Sequence, residues 1–337
     1  MLSGCVGALL AGCNTVVMRP SGDVAAQQGQ LVVISTLLML LIVVPVIVLT
    51  LVFAWHYRQS NTEAVYTPDW DHSIGLELVI WAAPLLIIIA LGAVTWLSTH
   101  TLDPYRSLRR IDAARPIPAG VKPLNVEVIA LDWKWLFVYP DQGIAVVNEL
   151  AAPVDVPIHF RITASSVMNS FFVPALAGQI SAMPGMQTKL HAVINRPGVY
   201  EGFSANYSGE GFSDMRFKFR GVSAADFERW VQEAKTGGEL SREVYLQLEK
   251  PSQREPVRRY AAVAPGLYDA VVNRCVERGK MCMREMMAID ARGGLGLAGI
   301  RNLTAPDPAR PGRIAVAALC TADNPRGTTT LSLADRD

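Results

Sequence analysis

The stretch Asn169–Met215, NSFFVPALAGQISAMPGMQTKLHAVINRPGVYEGFSANYSGEGFSDM, decides the fold. Its apolar and β-branched residues fall into short runs. Turn-forming residues such as Arg196-Pro197-Gly198 separate them, as between the strands of a sandwich. Upstream, Leu124–Pro140 (LNVEVIALDWKWLFVYP) alternates and is rich in β-branched and aromatic residues. It is followed by IAVVNEL and VPIHFRITAS, with a turn at Asp141-Gln142-Gly143. Downstream, MRFKFRGV closes the set. Residues 123–222 are therefore expected to form an all-β sandwich.

Towards the N-terminus the character is different. Leu31–Trp55 and Leu78–Leu97 are apolar runs joined by a short polar loop. The first run, as a helix, spans roughly 37 Å, enough for a hydrocarbon core of about 30 Å with some tilt. Pro45 sits inside it, a position tolerated in membrane helices. Trp55, Tyr57 and Arg58 read as an interfacial anchor, and Trp81 and Trp96 lie near the ends of the second run. A transmembrane hairpin over 31–98 follows. Apolar residues make up 50% of the chain and its mean hydropathy is +0.24, values that favour membrane segments over a wholly soluble protein. A net charge of +1 gives no reason to expect a nucleic-acid surface.

Leu10-Ala11-Gly12-Cys13 matches the bacterial lipobox. Residues 1–12 then read as a lipoprotein signal peptide, Cys13 as the lipidated residue and 13–30 as a periplasmic segment. The signal lacks the usual Lys or Arg, so an uncleaved apolar N-terminus is the alternative. Arg106, Arg109, Arg110 and Arg115 after the second helix would by charge alone stay in the cytoplasm. The lipobox argues for the opposite orientation, and folded domains translocate largely regardless of charge. The β domain is accordingly expected outside.

Residues 223–287 read as helical. Ser223-Ala-Ala-Asp226 is a near capping box before FERWVQEAK, and a second helical piece is expected over Gly266–Met287. Residues 288–337 are Gly-, Pro- and Ala-rich and read as a flexible tail. The chain has five cysteines, and none lies in 124–222. Cys275 and Cys282, with Met281, Met283, Met286 and Met287, would suit a soft metal. The plainer reading is methionine packing and a disulfide, with Cys275 or Cys282 paired to Cys320. His56, His72, His100, His159 and His191 are scattered, with no pair at ligand spacing.

The segment 169–215 resembles the copper-binding region of subunit II of the haem-copper terminal oxidases. That family has a His before S-x-x-x-P, then P-G-x-Y, then C-x-E-x-C-x-x-x-H-x-x-M. Laid on this chain without a gap, the two His positions hold Asn169 and Phe212, and the two Cys positions hold Ser204 and Ser208. The Glu position holds Asn206, and only the terminal Met, Met215, is kept. A dinuclear copper centre needs bridging thiolates and imidazoles, which hydroxyl, amide and phenyl groups cannot replace. The pattern resembles the quinol-oxidising branch, as in bacterial bo3- and ba-type ubiquinol oxidases. Ser181 departs from it, since Tyr is expected there.

The resemblance implies a cupredoxin-like Greek-key domain behind the helical hairpin, with a C-terminal helical extension. It implies a bacterial inner-membrane subunit with no cofactor of its own, partnered by a subunit I that carries the haems and CuB, and by further small membrane subunits. The complex would oxidise ubiquinol, reduce O2 to water and translocate protons without cytochrome c. Glu77 precedes Trp81 and Pro84 at the spacing of a carboxylate that, in this family, sits at the entrance of proton uptake into subunit I. Its plainer reading is an interfacial carboxylate at a helix end. Asp132-Trp133-Lys134-Trp135 resembles the aromatic segment that receives electrons in copper-bearing relatives; without copper, core packing is the expectation for both tryptophans. Two competing classes remain: a cytochrome c oxidase subunit II with unusual electron entry, and a stand-alone membrane-anchored cupredoxin-like copper-handling protein.

Overall fold

The computed structural model describes residues 16–65 and 67–291. Cys5, Cys13, Cys320 and all but the first residues of the expected tail lie outside that range. The described chain divides into an N-terminal helical unit and a C-terminal β-rich unit.

In the helical unit, α1 spans Asp23–His56 and α2 spans Ile74–Thr101, both longer than the apolar runs 31–55 and 78–97. Backbone hydrogen bonding does not stop where side chains turn polar, and an acidic residue in the first turn (Asp23, Glu77) suits the positive end of the helix dipole. The most apolar stretch of each helix has mean hydropathy 3.2 and 2.5, and apart from Ile87 its residues are not buried by the chain itself. Leu37, Leu41, Leu51, Leu78, Leu86 and Ile88 are all largely exposed. Such surfaces are stable only against lipid or another apolar protein.

The β unit is the expected sandwich. Its strands are β1 Leu124–Leu131, β2 Lys134–Tyr139, β3 Ile144–Val147, β4 Glu149–Pro153, β5 Pro157–Ala164 and β6 Asn169–Phe172. They continue as β7 Ile180–Ala182, β8 Thr188–Val193, β9 Gly198–Ser204, β10 Arg216–Val222, β11 Gly238–Leu240 and β12 Arg258–Val263. One sheet runs β11-β12-β3-β2-β1-β5-β8, the other β4-β10-β9-β6-β7. β1 pairs in parallel with β5 and β4 with β10, and the other pairings among β1–β10 are antiparallel.

Between the sheets lies an aromatic core. The Trp135 ring meets Phe171 edge-on at 5.5 Å, Phe137 lies 4.9 Å from Phe217, and Phe171 stacks on Phe217 at 5.5 Å. Gly202 is required beside it: a Cβ there would stand 2.1 Å from the Phe217 ring. Every residue of β2 is buried, because its outer face is covered too. Leu136 and Val138 share a cluster with Tyr245, Leu248, Leu267, Tyr268 and Val271 from the C-terminal region. A strand covered on both faces reads as a near-continuous apolar run, which is what Trp135–Tyr139 shows.

The covering region departs from the expectation of helix alone. It contains α3 Ala224–Ala234, α4 Arg242–Glu249, α5 Leu267–Val272 and α6 Met283–Asp290. It also supplies β11 and β12, and Arg258, Arg259 and Tyr260 pair with Val147, Val146 and Ala145. The open edge of β3 draws this short segment into the sheet, a tertiary pairing that overrides local pattern. The Ser223 cap is as expected, with its Oγ accepting from Asp226 N–H at 3.1 Å. The helix expected over 266–287 is broken instead: α5 stops at Asn273, Arg274 takes φ +55°, and a loop leads to α6. α6 itself reaches Asp290, inside the segment read as tail.

That loop is closed by a Cys275–Cys282 disulfide, so neither cysteine pairs with Cys320. The break between α5 and α6 brings their Cα atoms to 4.8 Å, within reach of a disulfide, which an unbroken helix would not allow. With a sequence separation of 7, the cross-link is expected to contribute roughly 2 kcal/mol by constraining the unfolded chain. Cys275→Ser together with Cys282→Ser should lower the melting temperature to the value that wild type shows under reductant. Equal melting with and without reductant in wild type would show that the bond contributes nothing.

Candidate functional site

The residues aligned with copper ligands do meet at one place. Asn169 opens β6, Ser204 closes β9 and Met215 leads into β10, three neighbouring strands of the smaller sheet. Ser204 Oγ donates to Asn169 Oδ1 at 3.1 Å, and Ser170 N–H approaches Ser204 Oγ at 3.4 Å. Ser204 N–H donates to Met215 O at 3.2 Å, and Met215 is 1% exposed. Asn206 Nδ2 donates to Met168 O at 3.2 Å. Phe212 stands in a 3-10 turn, Phe212–Asp214, half-buried, with its ring 5.6 Å from that of the exposed Tyr207. A phenyl ring standing in for an imidazole and its metal would be expected to fill interior volume. Phe212 lies at the rim instead, because the turn carries residue 212 outward while the Ser204–Asn169 pair and Met215 close the interior.

Trp133 holds this loop in place. Its backbone adopts φ +64°, a left-handed conformation rare for a bulky residue. Its Nε1–H donates to Ser208 O at 3.0 Å. The indole lies so close to Gly211 that a Cβ there would sit 2.5 Å from ring carbons. Gly211→Ala is thus expected to displace Trp133, break its bond to Ser208 and cost about 1–3 kcal/mol through overpacking. Thermal unfolding checks this against Gly238→Ala, where an added Cβ meets nothing within 4 Å. Equal melting of the two variants would refute the clamp. Trp135, by contrast, is fully buried in the core, so the two tryptophans of the motif divide between core and clamp.

The donor set of this site is two hydroxyls, two amides, a phenyl ring and one thioether. It does not fit a dinuclear copper centre, which needs thiolate bridges and imidazole ends. Among the described residues, no three His, Cys, Asp or Glu gather into a metal-binding group. The cysteines of the Cys/Met segment are tied in the disulfide, and Met283 packs over Gly185, where a Cβ would lie 3.2 Å from its sulfur. That is the packing role.

Glu77 lies in the first turn of α2, exposed, with its N–H bonded to Ser73 O at 2.9 Å. It is the only Asp or Glu in that helix. Cys13 lies outside the described residues.

Two features escaped the sequence reading. Glu149 is 3% exposed and accepts from three side chains, Arg220, Trp230 and Arg259. Lys134, 1% exposed, donates to Lys250 O at 2.7 Å and Ser252 Oγ at 2.6 Å, anchoring the C-terminal region to β2. Burial lowers its pKa below the usual lysine value. In sequence these are single charged residues within apolar strands; the partners lie 70 or more positions away.

Comparison with known proteins places these observations. Residues 141–222 match the family described as Cytochrome C oxidase subunit II, periplasmic domain, and residues 235–279 match the COX Aromatic Rich Motif. The chain is 50% identical over 267 residues to the Cytochrome bo(3) ubiquinol oxidase subunit 2 of Pseudomonas putida, covering 79% of this chain and 82% of that protein. It is 48% identical over 272 residues to the protein of the same description from Pseudomonas aeruginosa, covering 80% of each. It is 51% identical over 265 residues to the Ubiquinol oxidase subunit 2 of Acetobacter aceti, covering 78% of this chain and 84% of that one.

Proposed function

The chain belongs to the ubiquinol oxidase subunit 2 family, a subunit of an oxidoreductase complex, and from that premise we propose its part in the complex. It is a non-catalytic subunit. The complex oxidises ubiquinol, reduces O2 to water and translocates protons, with the haems and CuB held by subunit I. The α1–α2 hairpin anchors the chain in the inner membrane beside subunit I and small membrane subunits. The β unit lies in the periplasm, and Cys13 carries a lipid. Glu77 collects protons at the mouth of α2 for delivery into subunit I.

One observation carries this reading: Asn169, Ser204, Asn206, Ser208 and Phe212 stand where copper ligands would be, and the first two hydrogen-bond to each other. Ubiquinol reaches the enzyme within the bilayer, so electrons need no surface copper centre and no docked cytochrome c. At the centre of the vacated site the Ser204 hydroxyl and the Asn169 amide satisfy each other, as buried polar groups generally do.

The test is purification of the tagged chain from its own membranes. A haem-bearing partner should co-purify, and the complex should oxidise ubiquinol but not reduced cytochrome c. Cytochrome c oxidation would make the chain a subunit with unusual electron entry. Isolation without any haem protein would favour a stand-alone copper-handling protein.

A further inference from the structure

We propose that His159 and His191 form a two-imidazole site for a zinc-class divalent cation on the outer face of the larger sheet. Nothing in the proposed role of the chain requires such a site.

The two residues are direct cross-strand partners on the antiparallel pair β5/β8. Their neighbours in the strands, Phe160, Leu190 and Ala192, are buried in the core. Side chains alternate along a strand, so both imidazoles point away from the core and share one face. Directly opposed Cβ atoms lie about 4.5–5.5 Å apart. The ring centroids are 4.3 Å apart at an interplanar angle of 89°. At this separation, reorientation of one ring about its Cβ–Cγ bond would let a nitrogen of each imidazole face a shared ion.

The protonation state is the right one. Burial lowers the pKa of His159, and burial, then the charges of His159 and Lys189, lower that of His191. Both rings are therefore neutral near pH 7, the form in which imidazole is a ligand. His191 Nδ1 is also buried and makes no hydrogen bond within the described chain, which leaves that nitrogen open to a further partner. Buried polar atoms without partners are rare and call for an explanation.

The surroundings define the ligand class. The next residue across the sheet, Asn125, is committed to Asp141 Oδ2 at 3.0 Å. One row along, Arg161 is committed to Glu127 at 2.8 Å and Gln187 at 2.9 Å. Among the described residues, no Asp or Glu gathers with the two imidazoles into a larger ligand group that would favour a hard, oxygen-seeking ion such as Mg2+ or Ca2+. Two imidazoles with water completing a tetrahedron suit zinc and its neighbours in the transition series. Because β8 is an edge strand, the ion would clip it to β5. Binding to the folded state alone raises stability by mass action.

The experiment uses the purified, chelator-washed complex and Zn2+ as the probe. Calorimetric titration should find one more zinc per chain in wild type than in His159→Asn/His191→Asn. Zinc should raise the melting temperature of the β unit in wild type only. Haem content and ubiquinol turnover should be the same in both, so the site is separable from the oxidase reaction. Equal zinc stoichiometry in the two proteins overturns the proposal. If the double variant does not assemble, zinc K-edge absorption on the wild-type complex decides: imidazole scatterers lost after histidine-specific modification support the site, and an oxygen-only shell overturns it.

Discussion

Glu149→Ala is expected to destabilise the β unit by roughly 3 kcal/mol, the lower part of the range for removing one partner of a buried ion pair. The carboxylate sits where four elements meet. Oε2 accepts from Arg220 of β10 at 2.9 Å, and Oε1 accepts from Trp230 of α3 at 2.9 Å and Arg259 of β12 at 3.0 Å. It therefore joins the two sheets to the first helix of the C-terminal region. Alanine leaves two guanidiniums and an indole N–H without their acceptor. Both arginines keep partial access to water, 41% and 35%, which holds the cost at the lower end. Glu149→Gln, which keeps an acceptor oxygen but loses the charge, should cost less. Denaturant unfolding of the full chain in detergent checks the order Ala, Gln, wild type; equal stability of all three would refute the role.

The same residue sets an acid limit. Burial alone would raise the Glu149 pKa. Donation from Trp230 and Arg220, with the charges of Arg220 and Arg259, outweighs it and holds the carboxyl below the ordinary glutamate value of 4.5. A carboxylate with a depressed folded-state pKa adds stability that is complete above the unfolded value and is lost as pH falls through the folded one. Melting temperature in wild type should thus fall on acidification below about pH 4.5, and less steeply in Glu149→Gln.

The second large effect is on turnover. Glu77→Ala is expected to slow ubiquinol oxidation several-fold while leaving assembly and haem content unchanged. An acidic side chain in the first turn of a helix is favoured by the helix dipole, so a stabilising role alone is a real competitor. The two roles separate in the readout. Loss of a structural contact lowers the yield of assembled complex. Loss of a proton-collecting group lowers the rate per haem and steepens its decline as protons become scarce at high pH. Glu77→Asp, which keeps a carboxylate one methylene shorter, should recover part of the rate. Undiminished turnover per haem in Glu77→Ala would remove the proton role.

Much of the architecture was legible because it rests on local pattern. The apolar runs marked the two helices, the alternation in Leu124–Pro140 marked β1 and β2, and Ser223 marked the start of α3. What stayed hidden depends on partners distant in sequence. Arg258–Val263 carries no strong strand pattern, and becomes β12 only because the edge of β3 is open. The Cys275–Cys282 bond requires the helix over 266–287 to break, which a left-handed Arg274 begins and Gly279, at φ +81°, continues; one glycine inside a helical pattern does not by itself mark such a break. At the vacated site, the exchange of ligand types was readable residue by residue. The rim position of Phe212 was not, since it follows from the path of a short 3-10 turn. His159 and His191 illustrate the same limit: unrelated in sequence, they face each other once β5 and β8 pair.

The copper-to-haem ratio of the purified, chelator-washed complex, recorded with its near-infrared spectrum, bears most directly on the absence of a copper centre in this chain. Only the copper that accompanies the haem centre of subunit I should be found, with no near-infrared copper band. Two further coppers per chain together with such a band would show that serine, asparagine and phenylalanine have not replaced a working metal site, and the account would fail.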